Sequence, residues 1–190
     1  MPYYKKLIGE LCYLAPCQPE DAEKWAIWFN DLEVTLPLGD EAYSPAPLDA
    51  LRTDVDEIIK RREHVFSVVD QGTDALIGRC LLFNVDWVNR CAMLGIVIGE
   101  KAYWGRGYGQ DATRMLLDYA FTLLNLHSVM LGVFAFNERA IGCYRRVGFK
   151  EIGRRRQARI IGSRMYDVVL MDIVAEEFTG RAIPVPPSIG

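Results

Sequence analysis

Residues 91–121, CAMLGIVIGEKAYWGRGYGQDATRMLLDYAF, restrict the fold more than any other part of the chain. An apolar, β-rich run ends at Gly99. Four glycines (Gly99, Gly105, Gly107, Gly109) fall within eleven positions, and a helical period follows. Ala112, Met115, Leu116, Tyr119, Leu123 and Leu124 recur at i, i+3, i+4 spacing, which predicts a long amphipathic helix packed on a sheet. A glycine turn entering a helix presents several backbone N–H groups where the helix dipole favours an anion. The missing side chains let phosphate oxygens approach. A plain tight turn is the alternative reading.

The segments around this unit are short and punctuated. ELCYLAPC (10–17) reads as a first strand, and PEDAEKWAIWFN (19–30) as a helix opened by proline and acids. LPLGDEAYSPAPLD (36–49), with three prolines and no period, reads as a loop, and about 47–62 as a second helix. VFSVVD (65–70), ALIGRCLLFNVDW (75–87) and CAMLGIVIG (91–99), joined by QGTD and VNR, predict an antiparallel meander. Beyond the long helix come a strand at 127–135, a helix at 137–148 closed by Gly148, and two strands in FKEIGRRR and RMYDVVLMDI. The order β-α-α-β-β-β-α-β-α-β-β predicts one α/β domain over residues 1–178, with a mixed, mostly antiparallel sheet flanked by helices. The proline-rich 179–190 reads as a flexible tail.

Composition narrows the classes of function. A net charge of -3 gives no global electrostatic case for nucleic acid or an anionic membrane surface. No apolar run reaches the ~18 residues of a membrane span. The N-terminal stretch, interrupted by Glu10, lacks the apolar region of a secretory signal, so a cytoplasmic location is expected. Five cysteines without a CxxC pair, and only His64 and His127 to join them, predict packed thiols rather than a metal site.

Elimination narrows the phosphate ligand. A P-loop needs GxxxxGK[ST], and no Lys-Ser or Lys-Thr follows these glycines. A dinucleotide fingerprint needs GxGxxG, whereas Gly105, Gly107 and Gly109 make GxGxG with Gln110 next, and VMLGVFA lacks a terminal acid for a ribose. Trp104-Gly105-Arg106-Gly107-Tyr108-Gly109 instead resembles the pyrophosphate loop of the GCN5-related N-acetyltransferase (GNAT) superfamily, [Q/R]xxGx[G/A], with Trp104 at its first position. Downstream, FNERAIGCYRRVGF supplies Asn137, Ala140, Tyr144, Gly148 and Phe149 in that family's NxxAxxxYxxxGF pattern. The resemblance runs over about residues 8–175, is strongest from 91 to 150, and looks most like the ribosomal-protein and spermidine acetyltransferase branch.

The resemblance implies a GNAT fold and transfer of an acetyl group from acetyl-coenzyme A to a primary amine by direct attack, with no catalytic metal. The pantetheine arm would pair with the strand before the loop, at Gly95, Ile96, Val97 and Ile98. Amides of Arg106, Gly107, Tyr108 and Gly109 would hold the pyrophosphate, and Asn137, also a natural N-cap, would bond the pantetheine. Tyr144 would lie beside the coenzyme sulfur and protonate the departing thiolate, although 140, 141, 144 and 147 also form an apolar stripe.

Many relatives carry a glutamate where this chain has Met93, so the base is open among Asp86, Glu33, Glu41 and none. The acceptor side would draw on the 19–62 helices and their aromatic residues Trp25, Trp28, Phe29 and Tyr43, with Trp87 from the FNVDWVN turn, several of these being simply core. Acceptors in view are a protein or peptide N-terminus, a polyamine or another small amine, and the acidic net charge leans towards a cation. The run GRRRQAR (153–159) reads as a solvated hairpin face. A homodimer, a non-catalytic acyl-coenzyme A-binding module and, remotely, a nucleotide-cofactor oxidoreductase stay open.

Overall fold

One eight-stranded sheet organises the chain in a computed structural model that describes residues 2–180 and 183–184. Its strands are β1 (Leu7–Ile8), β2 (Cys12–Pro16), β3 (Val65–Asp70), β4 (Leu76–Asp86), β5 (Cys91–Ile98), β6 (Ser128–Phe134), β7 (Lys150–Ile161) and β8 (Arg164–Val174). Their spatial order is β1-β2-β3-β4-β5-β6-β8-β7. Every neighbouring pair is antiparallel except β5 and β6, which the intervening helix makes parallel.

The helices α1 (Asp21–Phe29), α2 (Leu32–Thr35), α3 (Leu48–Arg61), α4 (Tyr108–Asp118) and α5 (Glu138–Val147) connect the strands. Trp25, Trp28 and Phe29 of α1 and Leu51 and Val55 of α3 pack with Tyr13, Ala15, Val69 and Val97 on one sheet face. Ala112, Met115 and Leu116 of α4 and Ile141 and Val147 of α5 pack with Leu14, Ile77, Leu94, Leu131 and Met171 on the other. The expected meander and both late helices are found, with Asn137 capping α5 and Gly148 ending it.

Several features depart from the sequence reading: α2 has no counterpart there, and the long helix changes at Tyr119 to a π-helical turn that ends at Leu123. β1 is only two residues long and pairs Leu7 with Leu14, too little pattern to detect. The proline-rich loop contains one 3-10 turn, Asp40–Tyr43. The arginine run belongs to a twelve-residue β7 and is not uniformly solvated. Arg159 is 3 % exposed, donates to Asp40 Oδ1 at 3.1 Å and Gly39 O at 2.5 Å, and lies 4.0 Å from the Tyr43 ring. Tyr43 in turn donates to Ile160 O at 2.8 Å, so β7 clasps the 39–43 turn. Within the predicted tail, the Ile183 N–H donates to Asp118 Oδ2 at 2.7 Å, while residues 181–182 and 185–190 lie outside the described residues.

Candidate active site

The parallel pair comes apart part-way along. β5 and β6 are in register only at Cys91–Ser128, Ala92–Val129 and Met93–Met130. Beyond that point β5 stays with β4 as far as Ile98–Gly78, and β6 stays with β8 as far as Phe134–Val168. From Leu94 and Leu131 onwards the facing edges therefore lack sheet partners. An unpaired strand edge at the centre of a sheet offers donors and acceptors to an extended ligand.

This fork opens into a cleft of about 840 Å³, lined on the donor side by Leu94 to Ile98, Gly132, Val133 and the turn into α4. Gly105 and Gly107 take left-handed backbone angles (φ 71° and 93°), which turn the chain so that α4 starts at the mouth. No side chain caps that start, so the first-turn amides stay available. Asp111 anchors the turn, accepting from the N–H groups of Glu10 (3.1 Å), Leu11 (2.8 Å) and Cys12 (3.1 Å). Tyr108 anchors it from the other side. Its hydroxyl donates to Asp70 Oδ1 at 2.7 Å, and that bond pushes the phenol up to about 12.

Gly95, Ile96, Val97, Ile98, Gly107, Tyr108, Gly109, Asn137 and Tyr144 all line this cleft. Arg106 does not line it; its guanidinium folds back to donate to Ala102 O at 3.3 Å. Asn137 uses Oδ1 to cap α5 at the Ala140 N–H (3.1 Å) and Nδ2 to reach Pro37 O (3.3 Å), tying the acceptor-side loop to α5. Tyr144 is half-buried with its ring edge-on to Phe149 at 5.8 Å, and no group among the described residues hydrogen-bonds its hydroxyl. Burial first, and the neighbouring Cys143 thiol second, hold that phenol above its ordinary pKa, so it stays protonated at neutral pH.

Sequence reasoning passed over two cations here. Arg139 and Arg146 line the cleft together with Cys143, at i, i+7 and i+4 on one face of α5, and the Arg139 guanidinium lies 4.0 Å from the Trp104 ring centroid. Their helical spacing was the available signal. Burial raises the Cys143 thiol, which leaves it a protonated thiol rather than a nucleophile.

On the acceptor side, only one of the three candidate carboxylates reaches the cleft. Asp86 is committed to the β4–β5 turn, accepting from the N–H groups of Val88 and Asn89 at 2.9 Å each. Glu33 pairs with Lys101 at 2.5 Å outside the cleft. Glu41 lines it. Met93 sits at the fork itself, opposite Phe83.

Of the five aromatic residues that the sequence offered as part core and part acceptor pocket, none lines the cleft. Trp25, Trp28 and Phe29 are core, Trp87 stands 57 % exposed on the β4–β5 turn, and Tyr43 faces β7. Val34, Leu38, Arg79, Leu81 and Phe83 line that part of the cleft instead.

Comparison with known proteins identifies the family and the fold. The family profile described as acetyltransferase (GNAT) domain matches residues 12–150. An uncharacterised N-acetyltransferase of Bacillus licheniformis is 27 % identical over 176 residues, covering 92 % of this chain and 98 % of the relative. Spermidine N(1)-acetyltransferase of Vibrio cholerae is 32 % identical over 115 residues, covering 60 % and 66 %. The crystal structure of spermidine N-acetyltransferase from Vibrio cholerae in complex with CoA and spermine superposes with a TM-score of 0.79 at 27 % identity, covering 88 % of this chain and 97 % of that one.

Proposed function

The chain belongs to the GNAT acetyltransferase family, and from that premise we propose that it transfers an acetyl group from acetyl-coenzyme A to the primary amine of a small acceptor. The observation that carries this reading is the fork. An unpaired β5 edge runs from Leu94 to an uncapped helix start, and Tyr144 lines the same cleft.

The residues present fit the coenzyme. The edge from Leu94 to Ile98 can take an extended amide-bearing arm in the manner of an added strand. The amides at Gly107, Tyr108 and Gly109 suit a pyrophosphate, and Arg139 and Arg146 add charge that the loop's own Arg106 directs elsewhere. The bound coenzyme supplies the acyl group as a thioester, with a thiolate as leaving group.

The chain's own residues then do three things. The fork holds the acyl carbon between β5 and β6 while the acceptor amine approaches along the β4 and β5 side chains. Leu81, Phe83 and Met93 desolvate that amine, which lowers its pKa and favours the neutral, attacking form. Tyr144 gives its hydroxyl proton to the departing thiolate; the low-polarity site that raises the phenol raises the thiol too, so the transfer stays matched. No carboxylate occupies the place of Met93, and Glu41 stands beside Arg79 rather than at the fork, so the amine's proton goes to cleft water, and the acceptor enters best already neutral.

Initial rates of thiol release, measured while varying acetyl-coenzyme A against a panel of primary amines, test this. Direct attack in a ternary complex predicts intersecting double-reciprocal lines and no acetyl adduct on the protein. Parallel lines with an acetylated Cys143 would replace the mechanism, and tight binding of NAD(H) without binding of acetyl-coenzyme A would remove the function.

A further inference from the structure

Arg79 is a charge set in an apolar strand, and nothing in the acetyl-transfer scheme uses it. On β4 and β5, Arg79 lies opposite Val97, Leu81 opposite Gly95, and Phe83 opposite Met93. Alternate strand residues share a face, so Arg79, Leu81 and Phe83 of β4 form one continuous floor along the cleft beside β5. The Arg79 guanidinium lies 4.6 Å from the ring centroids of both Trp25 and Phe29, and its side chain is 19 % exposed.

Two aromatic rings fix where the charge sits, yet its donors are almost unused. Among the described residues no acceptor hydrogen-bonds the Arg79 side chain, and Glu41 Oε1, at 3.9 Å, is its sole carboxylate within 4.0 Å. An arginine stays charged throughout the physiological pH range and carries five donors in a fixed plane. A largely buried, positioned and under-bonded guanidinium that lines a cleft is a built seat for a planar anion.

The rest of the acceptor wall argues in the same direction. Val34, Leu38, Leu81 and Phe83 are apolar, Glu41 already stands beside Arg79, and Asp40 is paired with Arg159. A polyamine would bring two or more ammonium groups into this half and need a carboxylate for each, against a fixed positive charge.

We propose that Arg79 receives a carboxylate carried by the acceptor. The acceptor is then an apolar amino acid-like molecule, with its amine at the fork and its acid at the far end of the floor. Three residue steps along β5 lead from Leu94, the first past the fork, to Val97 opposite Arg79, which spans about 10 Å. A long ω-amino acid or a short apolar peptide with a free C-terminus meets that length. The inference rests on the acetyl-transfer reading for the role of the amine, but the carboxylate seat stands on Arg79 alone.

A matched series tests it: ω-aminooctanoate, octylamine and diaminooctane share chain length and one reacting amine and differ only at the far end. The wild-type protein should rank them in that order, with kcat/KM for the acid above that for the alkylamine by about tenfold to a hundredfold, the size of a charge-assisted pair. In Arg79→Gln that preference should collapse through KM, and Arg79→Lys should restore part of it. Unchanged affinity of Arg79→Gln for coenzyme A shows that the protein has folded. Diaminooctane or spermidine as the best wild-type acceptor, or an undiminished acid preference in Arg79→Gln, overturns the proposal.

Calorimetric binding of ω-aminooctanoate and octylamine to the protein–coenzyme A complex separates the two readings. Acid-dependent binding that Arg79→Gln loses, without turnover of any amine, sinks acetyl transfer and keeps the carboxylate seat. Equal binding of the two compounds sinks the seat whatever the turnover.

Discussion

Replacing Tyr144 by phenylalanine removes one oxygen and leaves the rest of the site in place, so the structure sets two expectations of different size. The hydroxyl has no hydrogen-bond partner among the described residues, so its loss orphans no donor or acceptor. The ring's edge-on contact with Phe149 at 5.8 Å is unchanged, and the variant's stability should stay within about 0.5 kcal/mol of wild type. Catalysis should fare differently. A positioned general acid contributes about 10²- to 10⁴-fold, or about 3–5 kcal/mol of activation free energy. Because burial holds the Tyr144 phenol above its ordinary pKa, the wild-type enzyme should show no descending limb from this group between pH 7 and about 10. The assay is thiol release at saturating acetyl-coenzyme A and amine, with thermal melting and coenzyme titration on the same samples. A kcat lowered about a hundredfold or more, with melting and coenzyme affinity unchanged, agrees with the role. A kcat within about twofold of wild type would refute it, since Tyr144 would then be a packing residue of α5.

Four other outcomes follow from named contacts. Gly107→Ala forces a side chain into a left-handed backbone (φ 93°) with its Cβ 3.2 Å from Leu11, and should lose about 1–2 kcal/mol, or about 2–8 °C in Tm, together with coenzyme affinity. A melting loss with unchanged affinity would remove the loop from the donor site. Arg159→Met unclasps the 39–43 turn from β7 and should raise KM for the amine while leaving coenzyme binding intact; an unchanged KM would make the clasp irrelevant to the acceptor. Since no carboxylate replaces Met93, kcat/KM should rise with pH along the titration of the amine itself, and its inflection should move when the amine is changed. An inflection fixed across amines would mean an enzyme base.

The fourth concerns Asp21, which is fully buried and bonded to Ser67, Tyr3 and the Gln18 N–H. Burial raises its pKa above the unfolded value, so folding favours the protonated form. That contribution is complete below the ordinary carboxylate range and is lost as pH rises through the raised folded value. Urea midpoints of wild type and Asp21→Asn should therefore diverge with pH over that window; a constant difference would show that Asp21 does not titrate on folding.

Local signals carried most of the architecture. The apolar, β-rich runs at 65–70 and 91–98, the i, i+4 stripe of α4 and the caps at Asn137 and Gly148 act within a few residues, and the strands and helices formed where those signals stood. The missed features depend on distant partners. β1 exists because Leu7 meets Leu14, and Arg159 is buried because a loop more than a hundred residues earlier folds over it. The aromatic cluster near the N-terminus read as part core and part pocket because sequence cannot tell a core face from a cleft face. Arg79 went unnoticed for the opposite reason: one arginine in ALIGRCLLF looks like a solvated strand position until Trp25 and Phe29 flank it.

Mass balance tests the central claim most directly. The purified protein, acetyl-coenzyme A and a panel of primary amines including ω-aminooctanoate should yield, by mass spectrometry, one N-acetylated amine for each coenzyme A released, with no release when the amine is left out. Coenzyme A released without an acetylated amine, or no release with any amine of the panel, would contradict an acetyl transferase built on this fork.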